Sequence, residues 1–152
     1  LWFYVLMLDI RLTDLMQGPV YGLFTDENEN DDDRLFPFFN YDEIFGTVLN
    51  RFVIQAAVGC PLTVYGKGGQ IRGHLNIKDT LHCVKLSLEK PAKAGELRIL
   101  NQFTETFSVN DLSKRVQKVG DKFGLNVKIQ HIENPLPKTS RSDVVLVTTG
   151  DL

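Results

Sequence analysis

The chain has 152 residues, 43% of them hydrophobic and 24% charged, with a formal net charge of −2. That is about one domain of ordinary globular composition, and the negative balance excludes general attraction to nucleic acid or to an anionic membrane. Cys60 and Cys83 are the only cysteines; two scattered thiols make neither a disulfide framework nor a zinc site, so both are expected to be free.

In chain order, Leu1 to Leu8 are strongly apolar. The run is too short to cross a bilayer, and it lacks the basic start of a signal peptide. No integral membrane segment and no targeting segment is visible. Residues 5–13 read as a buried strand, broken by Gly18-Pro19. Residues 25–34 carry six acidic side chains, from Asp26 to Asp33. They read as a solvated loop anchored by Phe36, Phe38 and Phe39, because the glycine and terminal glutamate of a calcium loop are missing.

A helix is predicted over residues 42–58, with Phe45, Leu49, Phe52 and Ala56 as its apolar stripe and Gly59 and Pro61 as its stop. Leu62 to Tyr65 read as a strand. Asp79 is expected to cap a helix that carries Leu81, Val84 and Leu88 on one face and ends before Pro91 and Gly95. A strand over Leu97 to Leu100 follows. Ser108-Val-Asn-Asp111 has the spacing of a capping box. Val109, Leu112, Val116, Val119 and Phe123 then step by three and four residues, the clearest amphipathic helix in the chain. Gly124 closes it and Val127 to Ile129 return as a strand. This alternation predicts an α/β layer arrangement.

The most informative stretch is Leu62-Thr-Val-Tyr-Gly-Lys-Gly-Gly-Gln-Ile-Arg72. Its glycines permit a tight bend and close approach to a ligand. Arg72, just beyond them, offers a planar fork suited to a pyrophosphate.

Residues 9–134 resemble the C-terminal half of the UDP-sulfoquinovose synthases, plastid enzymes of sulfolipid synthesis within the extended short-chain dehydrogenase/reductases. The matching segments include Gln17-Gly18 with Val20-Tyr-Gly22, Phe45-Gly-Thr-Val-Leu-Asn-Arg-Phe52, the glycine loop with Arg72, and Asn101-Gln-Phe-Thr-Glu105. The resemblance implies the C-terminal, substrate-binding part of a Rossmann-like α/β fold that lacks most of the dinucleotide-binding half. Residues 1–136 would form the UDP-sugar-binding part, and 137–152 are a tail that does not match. It implies contacts to UDP-glucose or UDP-sulfoquinovose from Gln17, from Gly46, Thr47 and Val48 at a helix start, from Thr63, Val64 and Tyr65 on a strand, from Arg72 as pyrophosphate clamp, and from Asn134. It further implies bound NAD, sulfite or a sulfite donor in the whole enzyme, homo-oligomers, and a plastid stroma location.

The catalytic groups of that family are missing from this sequence. The residues four positions after Tyr4, Tyr21, Tyr41 and Tyr65 are Leu8, Thr25, Phe45 and Gly69. No tyrosine therefore has the lysine that would lower its pKa for acid–base work. The fingerprint G-x-x-G-x-x-G is absent too. In the family these groups lie upstream of Ile10. Leu136 stands where a second arginine is usual, and His82 and His131 look isolated. Two rival readings stay open: a non-catalytic remnant or binding module, and a part of another nucleotide-sugar epimerase or dehydratase.

Overall fold

The computed structural model describes residues 2–28, 33–42 and 45–133. These form two compact units. The first takes residues up to Phe38 and His74–Thr106; the second takes Phe39–Gly73 and residues from Phe107 onward.

The first unit begins with helix α1 (Trp2–Met7), not with the strand expected over residues 5–13. Only Val5 of α1 is buried. A short apolar run has no period that separates helix from strand. Here Asp9, in the left-handed region at φ 51°, stops the helix, and strand β1 (Leu12–Gln17) starts after it. β1 pairs in parallel with β5 (Leu97–Gln102), in register from Leu12↔Leu97 to Gln17↔Gln102. The short β2 (Val20–Tyr21) pairs in parallel with β4 (Ile71–Asn76) at Leu75 and Asn76. With β6 (Glu105–Ser108) they make a sheet of order β2-β4-β6. Parallel pairs need long crossovers, here carrying helices, which is the α/β pattern expected from the sequence.

Helix α3 (Ile77–Glu89) is capped by Asn76, whose side chain accepts from the Lys78 amide at 2.9 Å, and not by Asp79, which sits in the first turn. Its expected apolar face is exposed, and no residue of α3 is buried. At the start of the acidic stretch Asn28 accepts from the Thr25 amide and donates to the Leu23 carbonyl, and residues 29–32 of that stretch lie outside the described residues. Phe36 packs edge-on against Phe24, whereas Phe38 is 94% exposed and anchors nothing. Both cysteines are free, as expected.

The second unit holds the better core. Helix α2 (Val48–Ala57) starts six residues later than predicted, because Thr47 caps it by accepting from the Asn50 amide. Phe45 therefore lies off the helix and is exposed. Strand β3 (Leu62–Tyr65) pairs in parallel with β7 (Ile129–Ile132), two residues beyond the expected return strand. Phe52, Ala56, Leu62, Val64, Leu112 and Val127 make one buried cluster, bringing together α2, β3 and α4 (Val109–Lys122). The predicted capping box is present: Ser108 Oγ accepts from the Asp111 amide at 3.1 Å, and Asp111 accepts from the Ser108 amide at 3.0 Å. The Ser108 hydroxyl, which donates to Asp111 Oδ2 at 2.6 Å, and then the Ser108 amide hold the Asp111 carboxyl below the usual carboxylate range.

Candidate functional site

In the second unit β3 runs into the glycine loop, which leads into β4. Gly66 and Gly68 take φ of 61° and 66°, a region that glycine enters without strain. The loop turns its carbonyls inward. The Gly68 and Gln70 oxygens accept from the Asn110 and Val109 amides at 3.0 and 3.3 Å. The Lys67 oxygen accepts from Asn110 Nδ2 at 2.9 Å, and the Gly66 oxygen lies 2.9 Å from His131 Nδ1. His131 is therefore a brace for the loop and not isolated. The first amides of α4, which have no partner within the helix, are thus closed by the loop. Among the described residues nothing accepts from the Lys67, Gly68 or Gly69 amides. Arg72 is exposed on β4, with Nη1 donating to the Ile71 carbonyl at 2.9 Å.

One edge of β3 faces β7, through Leu62 N to Lys128 O and Gly66 N to Ile132 O. Thr63 therefore turns its main chain to the opposite edge, where α2 meets it. Gln55 Oε1 accepts from the Thr63 amide at 3.1 Å, Gln55 Nε2 donates to Thr63 Oγ1 at 2.8 Å, and Arg51 Nη2 donates to the Thr63 carbonyl at 3.1 Å. The Arg51 guanidinium also lies over the Tyr65 ring, 4.4 Å from its centroid, a cation–π distance. Val64 is buried in the core. Gly46 accommodates no Cβ, which would run into the backbone of Tyr41 and Asp42. The Thr47 hydroxyl is engaged as helix cap, and Val48 is the first residue of α2.

In the first unit Gln17, exposed at the end of β1, donates from Nε2 to Gln102 Oε1 at 3.0 Å. The Tyr21 hydroxyl donates to Glu105 Oε2 at 2.8 Å. Both bonds tie the Gln17–Gly22 stretch to the Asn101–Glu105 string. Partial burial first, then the Glu105 hydrogen bond and charge, raise the Tyr21 pKa. A raised value favours the protonated, folded form, so this contribution is present below the unfolded value of about 10 and is lost as pH rises through the folded one. Tyr21→Phe should therefore flatten the fall in stability between about pH 9 and 11. Urea melts across that range check it, and parallel wild-type and variant curves would remove the pair from the account.

The site residues are thus distributed. Gln17 belongs to the first unit; Gly46, Thr47, Val48, Thr63, Val64, Tyr65 and Arg72 belong to the second; Asn134 lies outside the described residues. Two grooves flank helices, one of about 460 Å³ beside α3 and one of about 390 Å³ between α2 and α4, and none of the described site residues lines either. Among the described residues no cluster of His, Cys, Asp or Glu could hold a metal ion, and no helix is long and apolar enough to cross a membrane.

No family model matches the chain. Over 126 residues, 83% of this chain, it is 57% identical to the chloroplastic UDP-sulfoquinovose synthase of Spinacia oleracea and 48% identical to the UDP-sulfoquinovose synthase of Sulfolobus acidocaldarius. The chain belongs to the UDP-sulfoquinovose synthase family. It spans about 26% of the length of the spinach enzyme and 32% of the archaeal one.

Solved structures agree on the fold. The UDP-glucose 4-epimerase of Thermotoga maritima, solved with UDP-glucose, superposes with a TM-score of 0.60 at 19% identity, covering 82% of this chain and 34% of that one. The Thermus thermophilus UDP-glucose 4-epimerase, solved with NAD, gives 0.61 at 19% identity, covering 87% and 37%. The dTDP-glucose 4,6-dehydratase DesIV of Streptomyces venezuelae, solved with NAD, gives 0.58 at 15% identity, covering 88% and 34%. The chain is thus part of an epimerase/dehydratase-type α/β fold.

The glycine loop does not fit a dinucleotide. A dinucleotide fingerprint is a glycine turn that opens a helix facing the pyrophosphate. Here Gly66-Lys-Gly-Gly69 opens strand β4, and its carbonyls close the start of α4. Sequence reading missed the polar hold of Arg51 and Gln55 on β3. Their i,i+4 spacing on one face of α2, just before a strand, was the available signal.

Proposed function

We propose that this chain is the UDP-glucose-binding portion of a UDP-sulfoquinovose synthase, whose whole form converts UDP-glucose and sulfite, or sulfite carried by a donor, to UDP-sulfoquinovose with bound NAD. The observation that carries this reading is the 57% identity to a synthase across 126 residues, glycine loop included. Gln17, Gly46, Thr47, Val48, Thr63, Val64, Tyr65, Arg72 and Asn134 are its proposed ligand contacts. Arg72 is the proposed diphosphate clamp, since a guanidinium pairs bidentately with phosphate oxygens. The Lys67, Gly68 and Gly69 amides, which have no acceptor among the described residues, are suited to the same anion. The hydride chemistry is assigned to the rest of the enzyme, because no tyrosine of this sequence carries the required lysine. A plastid location is proposed from the chloroplastic name of the spinach relative.

Arg72→Ala is expected to weaken UDP-glucose binding about tenfold to a hundredfold, the range for losing charge-assisted hydrogen bonds. Titration calorimetry on both proteins checks this, and equal affinities would reject the clamp.

A second reading is a binding module without turnover. It predicts a cooperative melt shifted upward by UDP-glucose and no sulfoquinovose product.

A further inference from the structure

We propose that Gln55 and Arg51 of α2 plug the free edge of β3 and so keep a second copy of the chain from adding a strand there. Among the described residues β3 has one partner strand, β7, and their sheet has only these two strands. A strand edge with open amides and carbonyls is a template that recruits another strand. The segment Leu62-Thr-Val-Tyr65 suits such pairing, since it is uncharged and its threonine, valine and tyrosine favour strands. Leu62 and Val64 are fully buried, so an added strand would lie directly beside the core cluster.

Side chains of α2 occupy that edge in place of a strand. The Thr63 amide donates to Gln55 Oε1 and the Thr63 carbonyl accepts from Arg51 Nη2, both at 3.1 Å. These are the two main-chain groups that a neighbouring strand uses. Gln55 Nε2 also donates to Thr63 Oγ1 at 2.8 Å, so both ends of the sealing amide are fixed. Arg51 and Gln55 stand four residues apart on α2 and reach the strand from one face. Pro61, two residues before Thr63, has no amide hydrogen to offer. Two residues after it, the Tyr65 main chain has no partner among the described residues, but the Arg51 guanidinium lies over its ring, 4.4 Å from the centroid. Stability alone does not call for an arginine here. Its Nε is buried with no hydrogen-bond partner among the described residues, and an unmet buried donor is destabilising. Without the plug, Thr63 of one copy would meet Thr63 of another across a two-fold axis, and the two would exchange both bonds.

Sedimentation velocity over a concentration series compares the wild-type chain with Arg51→Ala/Gln55→Ala, each first shown to melt cooperatively when dilute. The double variant is expected to self-associate about tenfold more tightly than wild type, because two strand hydrogen bonds become available. Amide hydrogen exchange locates the contact. In wild type the Thr63 amide should be protected at every concentration. In the double variant it should exchange fast when dilute and regain protection when concentrated, which mere exposure of the core would not produce. Adding Thr63→Pro removes that amide on an edge where proline is tolerated, and should return association to the wild-type level. Equal association of wild type and double variant would overturn the proposal. So would tighter association that leaves the Thr63 amide unprotected or survives Thr63→Pro, since the contact would then lie elsewhere. If the double variant does not melt cooperatively, Gln55→Ala goes through the same series, because it frees the amide and leaves Arg51 in place. Thr63 exchange unchanged from wild type in that variant would show that Gln55 seals nothing, and would equally overturn the proposal.

Discussion

Phe52→Ala is expected to destabilise the second unit by about 3–5 kcal/mol, the range for deleting a buried aromatic ring. Phe52 is 0% exposed and is the largest fully buried side chain among the described residues. It sits where α2 meets β3 and α4, among Ala56, Leu62, Val64, Leu112 and Val127. All but Val127 belong to three elements whose backbones are tied by ladders and caps, so the hole cannot collapse cheaply, and a cavity term adds to the lost transfer energy. Domains of this size have about 5–15 kcal/mol in total, so the loss consumes much of the margin. At about 4–8 °C per kcal/mol, a 3 kcal/mol loss would lower the melting temperature by about 12–24 °C. Val119→Ala is the comparison, since Val119 is exposed on α4 and should change stability by no more than about 0.5 kcal/mol. Chemical denaturation of both variants decides it. Similar midpoints for the two would place the core elsewhere.

The parts of this fold legible in the sequence are those written locally. The capping box at Ser108 and the apolar steps behind it gave α4 with its true first residue, because the cap and the stripe agree within one turn. β3 and its glycine turn were equally plain. What stayed hidden depends on distant partners or on near-equal local choices. Asn76 and Asp79 are both good caps three residues apart, and Asn76 wins by reaching the Lys78 amide. Residues 2–7 form helix although aromatic and β-branched residues suit a strand. β4 escaped notice because Gly73 stands in the apolar series, leaving only Ile71 and Leu75 to alternate with Arg72, His74 and Asn76. The candidate site divides in the same way. Gly66, Gly68 and Arg72 could be singled out from a single window. The Gln17–Gln102 and Tyr21–Glu105 bonds join residues 85 and 84 positions apart, and no local pattern encodes which amide will meet which.

The glycine loop makes a graded prediction, because its three glycines do different physical work. Gly69→Ala should be nearly neutral: its φ is not in the left-handed region, and a Cβ there meets nothing within 4 Å. Gly66→Ala has the same open space, but φ is 61°, so it should cost about 1–2 kcal/mol of backbone strain. Gly68→Ala carries that strain at φ 66° together with a collision. The added Cβ would strike Asn110 Oδ1 and lie 2.6 Å from Val64 Cγ1. Neither neighbour can easily yield. Val64 is fully buried in the core, and Asn110 is held by its bonds to the Lys67 and Gly68 carbonyls. Moving Asn110 would open the first amides of α4, and an unmet cap alone costs about 1 kcal/mol. Gly68→Ala is therefore expected to lose about 3 kcal/mol or more once strain, overpacking and cap are combined. Thermal melts of the three variants should rank Gly69→Ala, Gly66→Ala, Gly68→Ala from least to most damaging. Amide hydrogen exchange at Val109 and Asn110 should rise selectively in the last. If Gly69→Ala proved the worst of the three, the loop would not be seated on α4 as described. The diphosphate contact proposed for the loop's amides would then lose the rigid support on which it depends.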